Sequence, residues 1–158
     1  MALEPAECNR IIDTARMVDP RLSSYGSYHP LLGGLDADLW ESLIARVKAA
    51  NERWWRLDVD EWHVAAKRYR TGEEHAAHQD WIPGHSATKK IVAAWQLSPA
   101  DYYYGGNVVV TAREHRKTVP REQGSVYILP SWTTHEVEPI TVGERWSLLV
   151  NAYGPALR

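Results

Sequence analysis

Through the first third of the chain, apolar residues recur at intervals of three and four. In PAECNRIIDTAR, Cys8, Ile11, Ile12 and Ala15 fall on one stripe, and Pro5 stands where a helix start tolerates proline. In DADLWESLIARVKAANERWW, Leu39, Leu43, Val47 and Trp54 share a side, with Asp36 or Asp38 as the cap. Between these helices, SSYGSYHPLLGG is rich in Gly, Ser and Pro and reads as loop. From residue 57 the texture changes to short runs: EWHVAAKRY, KKIVAAWQLS, GNVVVTA, GSVYILP, HEVEPIT and RWSLLVNAYG, each bounded by Gly, Pro, Asp or Ser. Such closely spaced strands predict a sandwich or jelly roll. The fold class expected is therefore α+β. A double-stranded β-helix (cupin-like jelly roll) over 57–155 is buttressed by helices within 1–56, and 1–158 forms a single domain.

Composition agrees with this and narrows the function. A chain of 158 residues is long enough to bury roughly two-thirds of its unfolded surface. Its 44% hydrophobic and 24% charged residues are the mix of an ordinary globular protein. The formal charge of -2, with no long run of one sign, gives no footprint for nucleic acid or an anionic membrane. No basic-then-apolar leader and no membrane-length segment is visible, so a cytoplasmic protein is expected. Cys8 is the single cysteine, which leaves His, Asp and Glu as metal ligands.

One stretch, YRTGEEHAAHQDW, then acquires meaning. His78 and Asp80 alternate in the strand sense and would face one side of an extended segment. His135, in LPSWTTHEVEPITVGER, is the third ligand expected from a later strand. Two imidazoles and a carboxylate on one face make the arrangement that suits Fe(II) with open positions; the same three would also suit hydrolytic zinc. Arg145 sits ten positions past His135, among apolar neighbours. A guanidinium there is costly without a partner, and either a protein carboxylate or a dicarboxylate cosubstrate would serve.

Tyr69, His78-Gln79-Asp80, DYYYGGNVVV, His135 and Arg145 together resemble the Fe(II)/2-oxoglutarate-dependent dioxygenases, in particular their prolyl 4-hydroxylase-like (PKHD-type) branch. WQLSPADYYYGG is similar to that family's central strand and turn, LPSWTTHEVEPITVGERWSLLV to its distal motif, and PAECNRIID to its opening helix. The resemblance implies iron on His78, Asp80 and His135. It implies 2-oxoglutarate on Arg145, supported by the Tyr69 hydroxyl, with O2 as oxidant and ascorbate as an accessory reductant. Thr141 or Ser147 would add a hydroxyl to the cosubstrate pocket and Trp95 a wall. An intact Asp80 favours hydroxylation over halogenation, since related halogenases carry a small residue in its place.

Two departures bear on substrate. His75 stands where the prolyl hydroxylases tend to have tyrosine, and Asn151 where they tend to have tryptophan. His75, Trp81, Asn151 and Arg116 are the expected substrate contacts. The loop WIPGHSATKK, with His85, and the segment TAREHRKTVPREQG are expected to flank the mouth. The reading favours a small substrate, such as a free amino acid or biosynthetic intermediate, ahead of a prolyl or other residue in a peptide. A non-catalytic metal-binding jelly roll is the reading from a different class. Oligomeric state is open.

Overall fold

A computed structural model describes residues 2–23, 25–31, 33–82 and 87–156. Helix α1 (Pro5–Arg16) opens on a capping box, in which Glu4 and Glu7 satisfy each other's backbone N–H groups. Helix α2 (Ala37–Trp54) begins where the Asp36 side chain accepts from the Leu39 amide at 2.8 Å. The predicted stripes hold in part. Cys8, Ile11, Ile12 and Ala15 are buried, as are Leu43 and Val47, whereas Trp54 at the last turn is exposed.

The stretch expected as loop between the helices is instead a hairpin of β1 (Arg21–Ser23) and β2 (Gly26–Pro30). Its Gly, Ser and Pro give it little strand propensity of its own. What makes β2 a strand is its antiparallel partner β3 (Glu61–Arg70), with Tyr28 opposite Lys67. The region 1–56 is thus two helices with a sheet edge between them.

The remaining strands are β4 (His75–His78), β5 (Lys89–Gln96), β6 (Tyr103–Gly105), β7 (Val108–Ala112), β8 (His115–Thr118), β9 (Val126–Pro130), β10 (Thr134–Val137) and β11 (Ile140–Tyr153). Among the described residues they form a larger sheet in the order β1-β2-β3-β11-β5-β9, with β6 on β11, and a smaller one in the order β4-β10-β7-β8. This is the two-layered antiparallel core of a jelly roll.

Strand β11 shows how the sequence sorts the two layers. Trp146, Leu148, Val150 and Ala152 join Cys8, Ile11, Leu43 and Val47 in the main apolar core beneath the helices. Arg145, Ser147, Leu149 and Asn151 face the other way, into a cleft. The period of two puts core and chemistry on opposite faces of one strand. Strand β5 does the same, with Ile91, Ala93 and Trp95 in the helix-side core and Val92 in the cleft.

Candidate active site

The cleft, about 450 Å³ in volume, lies between the two sheets. The smaller sheet supplies a cluster. His78 on β4 stands directly opposite His135 on β10, and Asp80 follows two residues after His78. Asp80 is pinned because its backbone N–H, like that of Trp81, donates to the Ser131 carbonyl, at 2.9 and 3.0 Å. The three side chains present ligand atoms all within 4.8 Å of one another.

The donor chemistry of this cluster fits a cation. His78 Nδ1 meets the Ala76 carbonyl at 2.8 Å and His135 Nδ1 meets the Thr133 carbonyl at 3.0 Å. A carbonyl only accepts, so each Nδ1 carries the proton and each neutral ring turns an Nε2 lone pair inward. Those lone pairs face a carboxylate, with His135 Nε2 at 3.6 Å from one Asp80 oxygen and His78 Nε2 at 4.0 Å from the other. Burial keeps His78 neutral by lowering its pKa, although the Ala76 contact opposes this. Acceptors converging on acceptors call for a metal ion, and backbone carbonyls fix the imidazole tautomers as metal sites require. Lys89 donates to Asp80 Oδ1 at 3.3 Å, holding the carboxylate that the metal would share.

The larger sheet supplies the opposite wall. Arg145 is 3% exposed, and no described carboxylate lies within ion-pair distance of it. Its Nε donates to Gln96 Oε1 at 3.1 Å, and the Gln96 amide donates to the Tyr103 hydroxyl at 2.8 Å. The guanidinium is therefore aimed but lacks a countercharge. The Tyr69 and Tyr127 hydroxyls sit in the same cleft, and burial raises the pKa of both, Tyr127 to about 12. The glycine pair of the YGG turn is required here. Gly105 and Gly106 have φ of 71° and 64°, and a Cβ on Gly106 would collide with Ile140 and press on the Arg145 stem.

Residues 64–153 match the profile of the 2OG-Fe(II) oxygenase superfamily. The chain belongs to that superfamily. A PKHD-type hydroxylase of Idiomarina loihiensis is 28% identical over 86 residues, which are 54% of this chain and 39% of the relative. A second, from Parvibaculum lavamentivorans, is 30% identical over 82 residues, 52% of this chain and 37% of its own. The matched part thus spans well under half the length of these relatives. Among solved structures, a Pseudomonas putida prolyl-4-hydroxylase superposes with a TM-score of 0.72 at 18% identity, covering 96% of this chain and 84% of that one. A Trichoplax adhaerens prolyl hydroxylase, solved with a hypoxia inducible factor peptide fragment, gives 0.74 at 12% identity, covering 94% and 78%. These likenesses show the jelly-roll fold of 2OG oxygenases.

Within this oxygenase frame the predicted site residues separate. His75, His78, Asp80, His135, Tyr69, Arg145, Ser147 and Asn151 all line the cleft. Three others lie elsewhere. Trp95 is fully buried in the helix-side core, on the face of β5 turned away from the cleft. Thr141 is exposed near the start of β11, ahead of the segment that enters the cleft. Arg116 is on β8 at the far edge of the smaller sheet, ion-paired with Glu136. Trp81 is outside the cleft lining, its indole N–H buried with no partner among the described residues. His85 lies outside the described residues.

His75 sits between two rings, stacked on Tyr25 at 4.2 Å and on His78 at 3.6 Å. Burial, then the neighbouring His78 and Lys67, push its pKa down to about 4. Several cleft residues stand outside the sequence reading: Tyr25 and Tyr28 of the unforeseen hairpin, Tyr127 and Lys67. Lys67 had a visible signal, since it precedes Tyr69 by two residues and must share its face.

Proposed function

We propose that this chain is an Fe(II)- and 2-oxoglutarate-dependent hydroxylase, acting on a small substrate such as a free amino acid or biosynthetic intermediate. The observation that carries the reading is the pairing in one cleft of a His78–Asp80–His135 cluster with Arg145, buried at 3% exposure and lacking an ionic partner among the described residues. His78, Asp80 and His135 would hold the iron, and Arg145 would take the distal carboxylate of 2-oxoglutarate as a fixed fork. Bound iron with 2-oxoglutarate and O2 supplies the oxidising power for C–H hydroxylation, with succinate and CO2 as coproducts.

The chain's own residues do the positioning. Gln96 orients the Arg145 guanidinium, Lys89 steadies the Asp80 carboxylate, and Tyr69 and Ser147 furnish hydroxyls on the cosubstrate side. His75 and Asn151 shape the substrate side. Their difference from the prolyl hydroxylase pattern tells against carrying peptidyl proline over to this chain. The prolyl hydroxylases among the structural neighbours, one of them solved with a peptide fragment, favour a second reading, a prolyl or other residue in a peptide. No described helix is long and apolar enough to cross a membrane.

The test is anaerobic addition of Fe(II) and then 2-oxoglutarate, following the visible charge-transfer band of the chelate. The band should form in the wild type and require far more 2-oxoglutarate in Arg145→Ala, with iron binding retained. Iron binding without any band would leave a metal-binding jelly roll and defeat the proposal.

A further inference from the structure

Lys67 is the cation in the cleft that this chemistry leaves unused. It is 6% exposed, on the inward face of β3, opposite Ser147 on β11 and Tyr28 on β2. Its Nζ reaches the Ser23 hydroxyl at 3.4 Å and lies over two rings, 4.8 Å from the centre of Tyr25 and 5.3 Å from that of Tyr69. No described carboxylate comes within ion-pair distance. A hydroxyl and two aromatic faces compensate a buried ammonium only in part, and burial pushes its pKa down to about 8. Near neutral pH it is charged, with no ion-pair partner among the described residues.

The 2-oxoglutarate dianion does not account for it. On the reading above, one of its carboxylates would go to Arg145 and the other would be held with the metal, which leaves Lys67 to a second anion. An independent observation points the same way. Asn151 is 4% exposed, lines the same cleft, and its Oδ1 has no hydrogen-bond partner among the described residues. A buried acceptor of this kind is costly until a donor meets it. Along β11 the order is Arg145, Ser147 opposite Lys67, then Asn151. Ser147 and Asn151 are four residues apart, about 13 Å of strand. Lys67, level with Ser147 and close to Tyr69, and Asn151 thus bracket the stretch of the cleft that leads away from the cosubstrate side.

We propose that Lys67 determines specificity by binding a carboxylate of the substrate, while Asn151 accepts an N–H or O–H from the same molecule. The substrate class is a small carboxylic acid whose donor group stands several bonds from the carboxylate, as the spacing of the two anchors along the sheet demands; a free amino acid with a donor-bearing side chain is a member. This rests on the oxygenase reading above and adds to it the charge of the substrate. Tyr25 and Tyr28 form the wall beside the bound acid.

The experiment uses the full chain with Fe(II) and 2-oxoglutarate. The probes are the free L-amino acids and, one for one, their C-terminal amides. Two readouts are followed: the anaerobic shift of the charge-transfer band and aerobic succinate release. At least one free acid should act at about tenfold lower concentration than its amide, the size expected of a charge-assisted hydrogen bond. Lys67→Met should bring that acid to the level of its amide while leaving the 2-oxoglutarate titration of the band within about twofold. Lys67→Arg, which keeps the charge, should retain the preference, and the band itself reports that each variant is folded. Equal response to acids and amides, including no response to any, overturns the proposal. So does a response confined to acidic peptides, or a Lys67→Met defect confined to 2-oxoglutarate, which would make Lys67 a second cosubstrate anchor. Absence of the band in the wild type is a separate outcome that removes the oxygenase reading and this proposal with it.

Discussion

Arg145 stands directly opposite Tyr69 in the β11–β3 pairing, its guanidinium carbon 5.8 Å from the centre of the tyrosine ring. Strand register alone therefore brings the cation and the phenol to one end of the cleft. A fork held this way loses little freedom when an anion arrives, because strand, ring and Gln96 have already fixed it.

Gln96 should prove a positioning residue. It links Arg145 Nε, at 3.1 Å, to the Tyr103 hydroxyl, at 2.8 Å. Gln96→Leu keeps the volume but leaves a buried guanidinium N–H unmet. The 2-oxoglutarate needed for half-formation of the band should rise roughly tenfold, the order of one lost hydrogen bond to a charged group. Iron affinity, measured by equilibrium dialysis, should be unchanged; a matching loss of iron would show general disruption of the cleft.

Acid should destabilise the metal-free protein through its buried histidines. His75 is held neutral down to about 4 against an ordinary 6.5, and His78 and His29 are lowered in the same direction. Below 6.5 the unfolded chain takes up protons that the folded chain refuses, so stability falls as pH falls toward about 4. Urea midpoints across that range should show the decline. His75→Phe, which keeps the stack on Tyr25, should flatten it, whereas an unchanged slope would remove His75 from the cause.

The two faces of β11 should respond differently to truncation. Leu148 is fully buried among the helices, and Leu148→Ala should cost about 2–5 kcal/mol. Its neighbour Leu149 is half-buried in the cleft, so Leu149→Ala should cost roughly 1 kcal/mol. Denaturant unfolding of the two variants checks the difference.

The parts legible in the sequence were those carried by fixed spacing. His78 and Asp80 are neighbours in the chain, and His135 and Arg145 lie ten residues apart on consecutive strands, so short-range patterns brought them into view. The helix stripe of Cys8, Ile11, Ile12 and Ala15 was legible for the same reason. What escaped depends on partners distant in sequence. The hairpin around Tyr25 and Tyr28 becomes sheet because β3 pairs with it, and Lys67 becomes a cleft cation because Tyr28 and Ser147 flank it. Trp95 was placed on the wrong side because a continuous apolar run such as IVAAW carries no alternation to show which face is which. Arg116 drew notice as a local positive charge, yet its charge is answered by Glu136 across the sheet.

The alternation along β11 also sets the terms on which this chain can diverge. Residues 146, 148, 150 and 152 answer to the helices, and residues 145, 147, 149 and 151 to whatever enters the cleft. A lineage can exchange the side chain at 151, or Lys67 across the sheet, and meet a different molecule with its core untouched. Insertion of one residue would instead turn the strand over and present tryptophan and leucine to the cleft. New ligands are thus within reach of single substitutions, whereas a change in length on this strand would erase the cleft.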